Sequence, residues 1–373
     1  MGNAPVNTIT FESATGKNTS VVISFEFFAF TNITGVTFRN LTFKGQFILD
    51  ENAKSILFEG NRIISNTYDD AVVSNHYTEN IQFMHNHFSN AKRFFSYTHW
   101  KGSKYPKGSI IKVNIFDEPY TDAIVVNTVD SLIIDSNYFY KTKPSGGGKC
   151  LILNNDSYFK ISRNTIVDEF EPGIQLQQPV EELPAKRVSS VENNAIRVYD
   201  GIVVQMDGIN VFYNSVYARN GFTSFILAGY ADSVCNNIFV SENGYASGIV
   251  AGAGANYMEH NIYFTGGQEL MNVYNVEYSD LITYATATGF DKQSFMLDPL
   301  FVSATDDLHY QNKALDGKAL PLKTVITDLE DVKRNLIAPN PGAFEINKTV
   351  GIDKLEEEKH IFIYPNPFRN KTT

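Results

Sequence analysis

Short bursts of alternating apolar and polar residues fill most of this chain, and many of them stop at an amide. In YFKISRNTIVD, residues 158–168, Phe159 and Ile161 alternate with polar neighbours, Arg163 and Asn164 interrupt, and Ile166 resumes. Alternation with a period of two predicts half-buried strands on both sides of the interruption. Asparagine is a poor strand former, so its place there marks a bend. The same form recurs in FRNLTF, FEGNRII, FMHNHF, KVNIF, IDSNYF, ISRNTI, VENNAI, FYNSV, VCNNIF and MEHNIYF. The repeated position falls at Asn40, Asn61, Asn86, Asn114, Asn137, Asn164, Asn194, Asn214, Asn236 and His260, a step of about 24 residues. At VCNNIF the choice between Asn236 and Asn237 is open by one residue.

Between these positions lies another recurring strand: DDAVVSN, TDAIVVN, KCLILNN, PGIQLQQ, DGIVVQM, TSFILAG and ASGIVAG. Each unit therefore holds a leading strand before the amide, a trailing strand after it, and a closing strand before the next unit. Short strands at this period, with no helical pattern between them, predict a solenoid of parallel strands. The dense leucine consensus of leucine-rich repeats is absent, and a propeller blade needs about 40 residues. Stacked at about 4.8 Å per turn, the asparagines would occupy tight bends, tolerate left-handed backbone and hydrogen-bond along the axis. The expected fold is all-β: a parallel β-helix with three strands per turn and about ten or more turns.

Alternation also assigns faces on the closing strands. With Val72, Ile124, Leu151, Ile174 and Ile202 inward, two outward columns emerge. One is mostly apolar: Ile48, Val73, Val125, Ile152, Gln175, Val203 and Ile226. The other is Asp50, Asn75, Thr98, Asn127, Asn154, Gln177 and Gln205, followed by Ala228 and Gly252. Amides donate and accept, which suits neutral sugar hydroxyls laid along the axis. A solvent-facing stack of amides is the alternative reading.

Composition narrows the partners. The formal net charge of −10 leaves no basic footprint for nucleic acid. No apolar run approaches a membrane span. Cys150 and Cys235 are too far apart for a disulfide framework or a zinc pattern; about three turns of axial rise between them predicts packed thiols. The opening MGNAPVNTITF lacks the charged start and apolar run of a signal peptide.

With these repeats, the chain resembles the right-handed parallel β-helix proteins of the pectate-lyase-like superfamily, over roughly residues 20–346. LDPLFVSATDDLHY, residues 297–310, is similar to the segment that follows the coil in secreted members, and NPGAFEI, residues 340–346, to its closing strand. IFIYPNPF, residues 361–368, after the acidic DKLEEEK, resembles the start of the C-terminal sorting domain of type IX secretion. The resemblance implies a β-helix over 1–265, an extension or cap over 266–346, a linker over 347–362 and a sorting-domain start over 363–373. It further implies a chain trimmed at both ends, passage through that secretion machinery, and a secreted or cell-surface location. A monomer is expected.

In this superfamily the ligand lies along the closing-strand sheet, which makes Asn75, Asn127, Asn154, Gln175, Gln177 and Gln205 candidate substrate contacts. His99, Trp100 and Tyr105, in the long loop THWKGSKYPKG, are candidates for stacking on a sugar. Uronate elimination needs a cation beside a base. The outward columns hold no Lys or Arg, whereas loops carry Lys101, Lys104, Lys107, Lys141, Lys143, Lys149, Lys186 and Arg187. Lys101, Lys186 and Arg187 are the catalytic candidates from that set. Asp122 and Asp200 precede outward strands and are candidates for carboxylate chemistry, although Asp-Ala and Asp-Gly are also ordinary turns. The chondroitinase-B-like alginate-lyase motifs have no equivalent in CLILNND. YDDAVV, with Asp69 and Asp70, is similar to the paired-Asp strand of polygalacturonases, but the Gly-His-Gly and Arg-Ile-Lys companions are missing. Asp168, Glu169 and Glu171 are a candidate Ca²⁺ site, the one cofactor the sequence suggests. The expected function is polysaccharide binding with lyase or hydrolase activity. The alternatives are a non-catalytic glycan-binding or adhesive surface protein, or a structural, tail-spike-like repeat.

Overall fold

A computed structural model describes residues 9–66, 68–98, 105–141, 148–154, 158–177 and 188–346. The chain winds into a parallel coil. The leading strands form an 11-stranded sheet from Ile9–Glu12 to Gly254–Glu259, each hydrogen-bonded to its counterpart one turn away. Trailing and closing strands form the other two faces, joined at the first turns because Val22–Phe30 and Thr42–Leu49 each run through both. Pairing continues past residue 265: Met271–Val273 adds to the closing sheet and Phe295–Met296 to the trailing sheet. The helix Leu281–Thr288 covers the end of the coil, capped by the Asp280 side chain on Thr283 N–H and by Gly289 in left-handed conformation.

The alternation places side chains as expected. Val72, Ile124, Leu151, Ile174 and Ile202 are fully buried, as are Val126, Leu153, Leu176 and Val204 two places on. Along the leading sheet one inward column runs in register through Phe11, Phe38, Phe58 and Phe83, then Ile111, Ile134, Ile161, Val191, Val211, Val234 and Met258. Its phenylalanine rings stack, closest between Phe58 and Phe83 at 4.6 Å and 4°.

The asparagine ladder is real, with a one-residue correction at three places. Asn61, Asn86, Asn114, Asn137, Asn164, Asn194, Asn214, Asn237 and Asn261 are its members, all essentially buried. Asn40, Asn236 and His260 each stand one residue earlier, and Leu41 occupies the ladder position of the first of these turns. Asn164 shows the bonding. Its Oδ1 accepts from Asn137 N–H and Nδ2, while its own Nδ2 donates to Ile134 O and to Asn194 Oδ1, all within 3.0 Å. Every amide thus satisfies backbone groups that a bend would leave orphaned.

The left-handed residue is the one before the ladder, not the ladder asparagine itself. It is Asn40, His85, Val113, Ser136, Arg163, Asn193, Tyr213, Asn236 or His260, each with φ between 53° and 63°. Gly60 fills the same place at φ 65° and needs no Cβ there. A β-branched residue such as Val113 is strained in this conformation. The ladder bonds on either side hold it there.

The ladder ends on a carboxylate. Asn261 N–H meets Ser294 Oγ at 2.9 Å, and Asn261 Nδ2 meets Asp291 Oδ1 at 3.1 Å. Asp291 also accepts from Ser294 and from the hydroxyls of Tyr263 and Tyr284. Burial pushes this carboxyl up to about 7 against those donors.

Residues 297–346 fold back along the corner that carries the left-handed residues. Asn193 Nδ2 donates to Thr327 O, Tyr213 OH to Leu320 O, and Asn236 exchanges two bonds with Leu320. Arg163 pairs with Asp331. Arg334, 4% exposed, lies 3.7 Å above the Tyr213 ring and bonds Asn193, Glu345 and the carbonyls of Asn340 and Gly342.

Candidate functional site

The closing sheet is the candidate face, and its register fixes the columns. Thr98, Asn127, Asn154 and Gln177 are consecutive partners, and Val204 pairs with Leu176 so that Gln205 follows Gln177. Ser96 joins the apolar column between Val73 and Val125. Val250, not Gly252, follows Ala228, because Leu227 pairs with Ile249.

The amides are half-buried and bond in pairs rather than in a continuous ladder. Asn154 Nδ2 donates to Asn127 Oδ1, and Gln175 Nε2 to Gln205 Oε1 at 3.3 Å. The other end of each donor amide is left over: Asn154 Oδ1 and Gln175 Oε1 are shielded from solvent and have no hydrogen-bond partner among the described residues. These two acceptors stand on adjacent turns, since Ile152 pairs with Gln175 and Asn154 with Gln177. A buried acceptor without a donor is costly, and such a group calls for bound water or a ligand hydroxyl.

The floor between them is uneven. Ser96, Val125 and Ile152 point outward by alternation, yet their exposures are 5%, 8% and 8%. Gln175, Val203 and Ile226 are more open. The covered part of this column is therefore its middle, with half-buried residues before it at Ile48 and Val73 and after it from Gln175 to Ile226. Alternation gives the direction of a side chain and cannot report what covers it, so the sequence carried no sign of this.

The opposite edge of the closing sheet is a charged corner. Asp70 is held by both nitrogens of an Arg93 fork at 2.8 and 2.7 Å. Asp122 accepts Lys149 N–H at 2.9 Å, and Asp200 accepts Thr223 N–H at 3.0 Å. Each such bond ties one turn to the next, which is how a turn aspartate serves a coil. Burial raises the Asp200 carboxyl above its ordinary value, opposed by the Thr223 N–H.

The acidic trio does not form a metal cage. Arg197 pairs with Asp168 at 2.6 Å, while Glu169 accepts from Tyr199 at 2.6 Å and from Arg219 at 3.2 Å. Arginine supplies the counter-charge that a cation would need to displace. Among the described residues no group of three His, Cys, Asp or Glu side chains is placed to hold a metal ion.

The basic residues divide differently from a loop cluster. Lys107 begins the leading strand Lys107–Lys112 and pairs with Glu79 at 3.1 Å. Lys141 ends a trailing strand, fully buried, with Nζ on Thr121 O at 3.0 Å and 5.7 Å from the Phe170 ring. Its burial lowers the ammonium from its usual range. Tyr105 is half-buried. His99, Trp100, Lys101, Lys186 and Arg187 lie outside the described residues, as does the stretch 347–373. Cys150 and Cys235 are both free and buried, and burial raises both thiols.

A family model described as "Right handed beta helix region" matches residues 21–178. The fold is a right-handed parallel β-helix. Strand pairing repeats in the same manner through the turns beyond the matched stretch. No curated protein and no solved structure matches the chain. A β-helix of this kind is consistent with a carbohydrate-active or surface protein. Among the described residues, no helix is long and apolar enough to cross a membrane.

Proposed function

We propose that this protein binds an extended polysaccharide along the closing sheet, with the chain axis parallel to the coil. The carrying observation is the pair of unsatisfied acceptors on adjacent turns, Asn154 Oδ1 in the amide column and Gln175 Oε1 in the column beside it. Turns repeat at about 4.8 Å, close to the length of one sugar residue, so hydroxyls of successive residues would meet successive amides. Neutral amide donors and acceptors favour uncharged hydroxyls over carboxylates. Binding without cleavage is the reading these groups support, since Asp122 and Asp200 are engaged between turns. A hydrolytic role would rest on Asp200, whose raised carboxyl suits a general acid.

A panel of neutral and uronate polysaccharides tests this. Retardation in affinity gels, reduced by Asn154→Ala with Gln177→Ala, is the expected result. Unchanged retardation in a folded double variant would remove the closing sheet as the site. The same samples report chemistry: ultraviolet-absorbing unsaturated ends mark a lyase, and new reducing ends without them mark a hydrolase.

A further inference from the structure

The trailing sheet has a stretch that the C-terminal extension leaves open. Its outward positions run in register through Ile115, Tyr138 and Thr165 and, alongside, through Asp117, Tyr140 and Val167. One turn further, Ala195 is buried in a cluster with Leu308, Ala343 and Phe344 of the extension, which closes the face there. Before that wall, Ile115 is 46% exposed and both tyrosines are half-buried.

Tyr138 and Tyr140 are two residues apart on one strand, so their rings leave the same face. The rings are near-parallel, 19° apart in plane, with centroids separated by 6.4 Å. Polar groups surround them. His87 faces Asp117 at 3.6 Å on one side, and the Asp168–Arg197 pair stands on the other. Asp306, in the turn of the extension's hairpin, contributes a third carboxylate. Burial first, and then the charges of Asp168, Tyr140 and Asp306, raise the Tyr138 hydroxyl above its ordinary value. Aromatic rings with an apolar body and a hydroxyl tip pack against the C–H face of a sugar while their surroundings bond its hydroxyls. The surplus of carboxylates repels a uronate.

We propose that Tyr138 and Tyr140 form a docking platform for a neutral oligosaccharide, separate from the closing-sheet face. It lies where the extension stops, so a bound saccharide would be bordered by the hairpin turn at Asp306. This platform does not depend on the amide column, and either can stand without the other.

Affinity electrophoresis of the full chain in gels cast with galactomannan, β-glucan or polygalacturonate tests it. Retardation is expected in a neutral gel and not in polygalacturonate. Tyr138→Leu with Tyr140→Leu keeps the apolar area but removes the rings, and should weaken binding roughly tenfold. Asn154→Ala with Gln177→Ala should leave that component intact. Retardation unchanged in the leucine pair, or lost only in the amide pair, overturns the platform; so does equal retardation by polygalacturonate. If the leucine pair does not fold, nitration of the native chain by tetranitromethane decides. Protection of Tyr138 and Tyr140 by a mannan or glucan oligosaccharide supports the proposal. No protection, or protection that follows protein concentration alone, overturns it.

Discussion

The first turns of the coil and the last ones solve the same stacking problem with different materials. Early turns fill the leading column with phenylalanine, from Phe11 to Phe83, whereas later turns use Ile161, Val191, Val211 and Val234. Early left-handed corners at Asn40, His85 and Val113 are partly or fully exposed, while Asn193, Tyr213 and Asn236 grip the extension. The far end closes on a helix and a buried carboxylate. The near end leaves Ile9, Phe11, Val22 and Phe27 more than half exposed. Stacked rings give the early turns a large contact area within the coil itself. The thinner aliphatic turns gain theirs from an added layer.

The sharpest way to break this contrast is to empty the shared column at two points. Phe58→Ala should cost about 4 kcal/mol and Val211→Ala about 2 kcal/mol. Because neighbouring turns couple mainly to each other, hydrogen exchange should show lost protection confined to the turns around each change. Uniform loss through the coil would mean that the two halves are one cooperative unit.

Next comes the anchor of the added layer. Arg334→Met leaves Glu345 buried without its cation and should cost about 3 kcal/mol. Limited proteolysis should then cut within 297–346 while the early turns stay intact. Intact resistance there would show that the extension is held by its apolar contacts instead.

The buried carboxyl at the far end predicts a pH dependence of definite sign. Asp291 is pushed up to about 7 in the folded chain, against about 3.9 when unfolded. Between those values the folded state holds the extra proton, so stability falls as pH rises. Between pH 5 and 6.5 the loss should be about 2 kcal/mol. Asp291→Asn should flatten that slope in denaturant titrations, and an unchanged slope would assign it to other groups.

The smallest difference compares one corner position in two settings. Asn236→Ala removes two bonds to Leu320, whereas among the described residues the Asn40 side chain reaches Glu12 alone, at 3.5 Å. Thermal melts should place Asn236→Ala about 1 kcal/mol below Asn40→Ala. Equal costs would mean that left-handed propensity alone governs both.

Most of the coil was legible because its period and alternation are repeated many times over. The errors in the ladder were of one residue and share a cause. Two adjacent positions favour asparagine, the left-handed corner and the ladder, so FRNLTF and CNNIF offer an amide at the corner that looks like a ladder member. In MEHNIYF the histidine takes the corner and Asn261 takes the ladder. The candidate face was legible as columns of Asn and Gln. The covering of Val125 and Ile152 was not, nor was the engagement of Asp168 and Glu169 by Arg197 and Arg219. Those contacts join residues roughly 30 to 50 positions apart and follow from the stacking of turns.

The sequence by itself determined the repeat, the three strands of each turn, and which side chains face inward, because alternation and a recurring bend are local properties of the chain. Tertiary structure alone decided which amide enters the ladder, which carboxylates are already paired, and which amide oxygens remain without a donor. Hydrogen bonding and burial depend on what the next turn and the returning extension bring alongside, and no local pattern encodes that neighbour.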